Sequence, residues 1–176
     1  MTKVTKAEWA GVKIVICDVD GVLTDATVQY GPEGEMLRTF HIRDGMGMRL
    51  LEAAGVKVGI ITSEKSKAVD ARAKRLLLSA YRPGMKVKGQ ALQEIMNEFN
   101  ATAAETVYVG DDFNDAEAFG VAGIPCCPAD ASTYARDKVR FKSSFDGGRG
   151  AVREIAELIL EAKGLDPVVL WADIHK

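Results

Sequence analysis

Two short stretches of the chain are crowded with carboxylates: Asp18-Val19-Asp20-Gly21 and Gly110-Asp111-Asp112-Phe113-Asn114-Asp115. Between them in sequence lie a hydroxyl pair, Thr62-Ser63, and a lysine, Lys88. Histidine is scarce: the chain has 2, His41 and His175. A histidine-rich zinc site is therefore excluded, and a Ser-His-Asp triad would have to run through one of these two. An acidic cluster without histidine suits a hard, oxygen-liganded cation, above all Mg2+. A phosphate group then has a place, with the metal on one side and Lys88 and Thr62 on the other. Asp18 is the natural nucleophile, because a carboxylate is ionised at neutral pH and needs no base to activate it. Asp20, two residues on, can protonate the leaving oxygen and later activate water. A calcium-loop reading of Asp18-Val19-Asp20-Gly21 fails, since Val22, Leu23 and Gln29 fall where an EF-hand needs an oxygen ligand, Gly and Glu. No P-loop GxxxxGK occurs.

These residues follow short β-branched runs. Val12–Cys17, Val56–Ile61 and Thr106–Val109 read as buried strands. Between and after them, Leu92, Ile95, Met96 and Phe99, then Val152, Ile155, Ala156 and Ile159, each mark one helix face. Lys88 opens the first of these helices. Strands alternating with helices predict an α/β fold with a mostly parallel sheet covered by helices on both faces. Ligands in such sheets bind beyond the carboxyl ends of the strands, where the acidic and hydroxyl residues fall. One segment breaks the alternation. Thr27–Tyr30 and Met36–His41 flank Gly31-Pro32-Glu33-Gly34-Glu35 and read as a β-hairpin inserted after the first strand, with His41 at its end.

Apolar residues make up 47% of the chain and charged residues 27%, an ordinary globular balance. With 176 residues, one domain over 1–165 and a C-terminal tail over 166–176 are expected. Net charge is −2, which gives no footprint for nucleic acid or an anionic membrane. The uncharged stretch 118–129 is short and broken by Gly and Pro, so no membrane span is expected. The first residues lack the apolar core of a signal peptide, so a cytoplasmic protein is expected. Cys17, Cys126 and Cys127 form no CxxC pair and read as reduced, buried thiols.

The ordered set DVDG, a hydrophobic run ending in Thr62-Ser63, Lys88 and GDDFND resembles the four motifs of the haloacid dehalogenase-like (HAD) phosphatases over nearly the whole chain. The resemblance implies a Rossmann-like core. It also implies that Asp18 forms an aspartyl-phosphate and that Asp20 is the general acid/base. Thr62, Ser63 and Lys88 would bind phosphate. Asp18, the Asp20 carbonyl and Asp111 would bind Mg2+, with Asp112 and Asp115 in support. The segments between the motifs hold only the hairpin, single helices and a short strand, so no lid domain fits and the member is capless.

Thr27–His41, Asp44-Gly45-Met46-Gly47 and Gly147-Gly148-Arg149-Gly150 resemble a narrower group, the capless tetrameric phosphatases of 2-keto-3-deoxy sugar acids. That resemblance implies a phosphorylated sugar acid as substrate, 3-deoxy-manno-octulosonate (KDO) 8-phosphate or a nonulosonate 9-phosphate, and a homotetramer built around the hairpins. Arg149 becomes a candidate for touching the substrate. KDO-specific members usually carry Gly-Arg after the motif-two threonine, whereas this chain has Thr62-Ser63-Glu64-Lys65. Glu64, with Lys74 or Arg75 further along the following helix, looks more like the nonulosonate enzymes, a resemblance that implies the nine-carbon acid. Two other readings stay open: a catalytically idle oligomerisation module of this fold, and a capless phosphatase for another phosphomonoester or a macromolecule.

Overall fold

The computed structural model describes residues 3–174; His175 and Lys176 lie outside the described residues. In chain order the elements are α1 (Lys6–Gly11), β1 (Ile14–Cys17), β2 (Gln29–Gly31), β3 (Gly34–Leu37), α2 (Ile42–Ala53), β4 (Lys57–Thr62), α3 (Lys67–Leu76) and β5 (Ala80–Pro83). They continue with α4 (Lys88–Glu98), β6 (Thr106–Val109), α5 (Ala116–Val121), β7 (Ile124–Cys127), α6 (Thr133–Lys138), β8 (Phe141–Lys142), α7 (Ala151–Ala162) and α8 (Pro167–Ile174).

Six strands form one sheet in the order β5-β4-β1-β6-β7-β8, every neighbouring pair parallel. All four residues of β1 are buried, as expected for a central strand covered on both faces. Side chains alternate across the sheet. Val15, Cys17, Val58, Ile60, Val107 and Val109 join one core cluster with Leu51, Leu76 and Ile155 of α2, α3 and α7. Ile14, Ile16, Ile61 and Tyr108 join the opposite cluster with Leu92 of α4, Phe119 of α5 and Ala135 of α6. This is the α/β architecture expected from the alternation. The three cysteines are free and buried, and among the described residues no helix is long and apolar enough to cross a membrane.

The hairpin is shorter than its sequence suggests. It is a separate two-stranded sheet whose strands join through Pro32-Glu33, with Gly34 at φ +109° and a register shift at Gln29/Tyr30. β3 stops at Leu37 because the next side chain, Arg38, turns inward to carboxylate partners. Phe40 also turns in: it packs against the core, and the Arg72 guanidinium lies 5.6 Å from its ring centre. His41, expected to end a strand, is instead the N-cap residue of α2. The segment after Leu165 forms α8, whose Leu170 and Ile174 pack on the core while Val168, Val169 and Trp171 face outward.

Candidate active site

The carboxyl ends of β1, β4 and β6 open together into a cavity of about 310 Å³. Asp18 follows β1 directly and is anchored to the neighbouring strand by its own N–H, which donates to the Val109 carbonyl at 2.9 Å. Gly21 closes the turn after it at φ +79°, and a side chain there would strike the Asp111 carboxylate. That close approach, together with the left-handed backbone, calls for glycine.

Lys88 is fully buried although it begins a helix. Its Nζ donates to Asp18 Oδ2 at 2.6 Å and to Asp115 Oδ1 at 2.7 Å. Burial works against its charge, but the two carboxylates outweigh that and raise its pKa. Asp115 has all of its acceptor capacity in use. Besides Lys88 it takes the Tyr108 hydroxyl at 2.7 Å and the backbone N–H groups of Asp111 and Asp112 at 2.8 and 3.3 Å. It therefore folds the loop after β6 around itself and holds Lys88 from below.

Carboxylate oxygens of Asp18, Asp111 and Asp115 lie within 4.8 Å of one another. Burial first, and then the Asp115 charge, push Asp18 up to about 7. Burial followed by the charges of Asp18, Asp115 and Asp112 pushes Asp111 up to about 8. One lysine does not neutralise this group, and every candidate ligand is a hard oxygen. With Asp115 already committed to its donors, Asp18 and Asp111 are the carboxylates left for a cation. The donor set and its unmet negative charge fit Mg2+.

Most of the sequence-selected residues meet here. Asp18, Asp20, Thr62, Ser63, Glu64 and Asp111 line the cavity, with Asp112 beside Asp111. Lys88 and Asp115 lie beneath it. Thr62 is buried at the end of β4, where its hydroxyl accepts the Glu64 N–H at 3.4 Å. Glu64 reaches the cavity from the loop between β4 and α3, not from a helix, since α3 starts at Lys67 with Ser66 as its N-cap. The basic residues considered as its partners lie elsewhere: Arg75 lines a groove with Trp171, and Lys74 another with Leu77. Arg149 is not on the cavity wall. It pairs with Asp25 at 3.2 Å and lines a neighbouring groove with Arg43 and Arg153. The loop that carries it does abut the site, because Gly147 packs so closely on the Gly21 carbonyl that no side chain fits there.

Sequence reasoning missed Phe113 and Asn114 on the cavity wall. It also missed Arg38, whose Nη1 lies 2.6 Å from both carboxylate oxygens of Asp20. A charged residue in a short hairpin reads as solvated, and no local pattern announces a partner 18 residues away.

The family model for haloacid dehalogenase-like hydrolases matches residues 41–123. Over 157 residues the chain is 37% identical to the 3-deoxy-D-manno-octulosonate 8-phosphate phosphatase of Haemophilus influenzae, covering 89% of this chain and 87% of the relative. The solved cobalt-bound structure of the Haemophilus influenzae phosphatase superimposes with a TM-score of 0.87 at 36% identity, covering 89% of this chain and 92% of that one. The same phosphatase from Moraxella catarrhalis, solved with a magnesium ion, a phosphate ion and a KDO molecule, gives a TM-score of 0.89 at 31% identity. That match covers 96% of this chain and 97% of the Moraxella chain.

Proposed function

The chain belongs to the haloacid dehalogenase-like hydrolases and is a phosphoric monoester hydrolase, and from that premise we propose that it hydrolyses the phosphomonoester of a 2-keto-3-deoxy sugar acid, KDO 8-phosphate first among them. One observation carries the chemistry. Asp18 and Asp20, two residues apart at the end of the central strand, both line the cavity, while Lys88 holds Asp18 from below.

An Asp18 carboxylate oxygen attacks phosphorus. The bond from phosphorus to the ester oxygen breaks, and Asp20 gives its proton to that leaving oxygen. The product is the free sugar acid and an aspartyl-phosphate on Asp18. The Asp20 carboxylate then takes a proton from water, whose oxygen attacks phosphorus. The bond to Asp18 breaks, which releases inorganic phosphate and restores both aspartates. Thr62 and Ser63 hold phosphate oxygens from the β4 side with Lys88 beneath them, and Lys88 also orients Asp18 and favours its charged form. Asp18, Asp111 and the Asp20 carbonyl would hold Mg2+, whose charge offsets the repulsion between Asp18 and the phosphate. Asp112 supports the metal side, and Asp115 positions Lys88.

Residues 1–165 then form the catalytic domain of a cytoplasmic homotetramer, and 166–176 an accessory segment. Support for assembly comes from the hairpin, whose Tyr30, Met36 and Leu37 are exposed in the single chain. Assembly would also bring Arg149 into play as a substrate contact. A second substrate reading, a nonulosonate 9-phosphate, rests on Glu64, an acid on the cavity wall where a sugar carboxylate would be repelled. The test is release of inorganic phosphate from each of the two sugar acid phosphates with Mg2+. Release from neither overturns the sugar-acid reading.

A further inference from the structure

Arg38 is the one deeply buried side chain of the hairpin's second arm. Its neighbours Met36 and Leu37 are 71% and 50% exposed, whereas the Arg38 side chain is 2% exposed. Its Nη1 contacts both oxygens of Asp20 at 2.6 Å, and its Nε donates to Glu35 Oε2 at 3.1 Å. Glu35 Oε1 in turn accepts the hydroxyl of Ser66 at 2.5 Å. Ser66 is the N-cap of α3, just after the Thr62-Ser63-Glu64 loop. A continuous chain of charged contacts thus joins the loop after β1, the hairpin and the loop after β4.

We propose that Arg38 is a positioning residue for Asp20: the hairpin carries it so that the carboxylate serving the leaving oxygen is held in one orientation. The proposal rests on the phosphatase reading above and adds a residue to it. Two features separate this role from substrate binding. Asp20 lines the cavity and Arg38 does not. The guanidinium is also flanked by two carboxylates, which leaves no net positive charge for a substrate anion. A planar fork braced by Glu35 restrains Asp20 more firmly than a flexible ammonium would.

A merely structural ion pair and a positioning residue differ in their dependence on the leaving group. Proton donation matters for an alkoxide and little for p-nitrophenolate, which departs unprotonated. The quantity to measure is kcat/KM, which reads events only as far as the aspartyl-phosphate. KDO 8-phosphate and p-nitrophenyl phosphate are compared for wild type, Arg38→Met, Arg38→Lys, Asp20→Asn and Asp20→Asn/Arg38→Met. Arg38→Met is expected to lower kcat/KM for the sugar phosphate by about 10-fold or more and for the aryl phosphate by less than about 3-fold. Arg38→Lys keeps the charge without the fork and should recover only a minor part of the loss, and the double variant should be no worse than Asp20→Asn alone. Equal losses on both substrates, or losses that multiply in the double variant, would show that Arg38 only holds the hairpin together and overturn the proposal. Full sugar-phosphate activity in Asp20→Asn would instead overturn the acid/base reading beneath it.

Discussion

Lys88 Nζ lies 2.6 Å from Asp18 Oδ2 at the bottom of the cavity, with the lysine side chain wholly removed from solvent. A buried charge is tolerable only when paired, and here one cation serves two carboxylates, Asp18 and Asp115. The pair therefore joins the chemistry of motif one to the integrity of the loop after β6. Breaking it by Lys88→Met leaves buried carboxylates without their partner, a change that typically costs about 3–5 kcal/mol. In EDTA the melting temperature should fall by on the order of 10 °C, and Lys88→Met/Asp115→Asn should regain part of it. A Lys88→Met protein that melts like wild type would contradict this account.

Asp18→Asn should abolish turnover, since an amide does not attack phosphorus. The expected loss is on the order of 10³-fold or more, with the fold intact by circular dichroism. Phosphate release at the wild-type rate would sink the mechanism.

Metal removal should affect stability as well as activity. Asp18 is pushed up to about 7 and Asp111 to about 8 from an ordinary value of 3.8. Between those limits the folded chain holds protons that the unfolded chain has released. Stability of the metal-free protein should therefore decline as pH rises from about 4 through 8, because the folded state binds more protons. Mg2+ binds the folded state and should raise the melting temperature most at the alkaline end. Asp111→Asn should flatten the alkaline decline in EDTA and weaken the response to Mg2+. A pH-independent melting temperature in EDTA would show that burial and mutual repulsion do not hold protons on these carboxylates as described.

The hairpin should be the seam of a homotetramer. A lone two-stranded hairpin is marginal in water, and Tyr30, Met36 and Leu37 are left uncovered. Phe40, the other large apolar residue of this segment, packs on the chain's own core instead. Light scattering should give four times the chain mass, and Tyr30→Lys/Leu37→Lys should reduce it. A fully active monomer would refute the assembly.

Glu64 supplies the specificity test. Loss of one well-made charged contact shifts selectivity by roughly 2–3 kcal/mol, about 30–150-fold. On the second substrate reading the nine-carbon acid phosphate has the higher kcat/KM and Glu64→Arg moves the ratio toward KDO 8-phosphate; a wild-type preference for KDO 8-phosphate leaves the first reading standing. An unchanged ratio after Glu64→Arg would assign Glu64 to the loop alone.

Local signals carried much of this molecule. Thr106–Val109 forms a strand over the very span its β-branched pattern indicates, and Lys88 does begin a helix. The gathering of Asp18, Asp20 and Asp111 at one cavity was legible because the residue types fall at the ends of recognisable strands. Partners brought together by folding were not. Tyr108 reads as a buried strand residue, and nothing beside it shows that its hydroxyl reaches Asp115. Glu64 stays in the loop because Ser66, two residues on, caps α3 by accepting the Val69 N–H. Arg38 reads as an ordinary charged residue of a short hairpin, and nothing beside it in sequence shows that Asp20 and Glu35 together hold it inside.

The position of β1 also bears on how the chain is made. Its four residues pair with β4 on one side and with β6 on the other, Cys17 lying opposite Val109. A ribosome that has produced β1 must still produce everything through β6 before the strand's second edge is covered. At ordinary elongation rates that interval is on the order of 5–20 s. Throughout it an apolar strand, Ile14–Cys17, offers an open edge to any other nascent chain. Hydrolysis has to wait as well, because Asp18 gains its anchor on Val109 only when β6 docks. The onset of activity during synthesis or refolding therefore reports the closing of the sheet's centre.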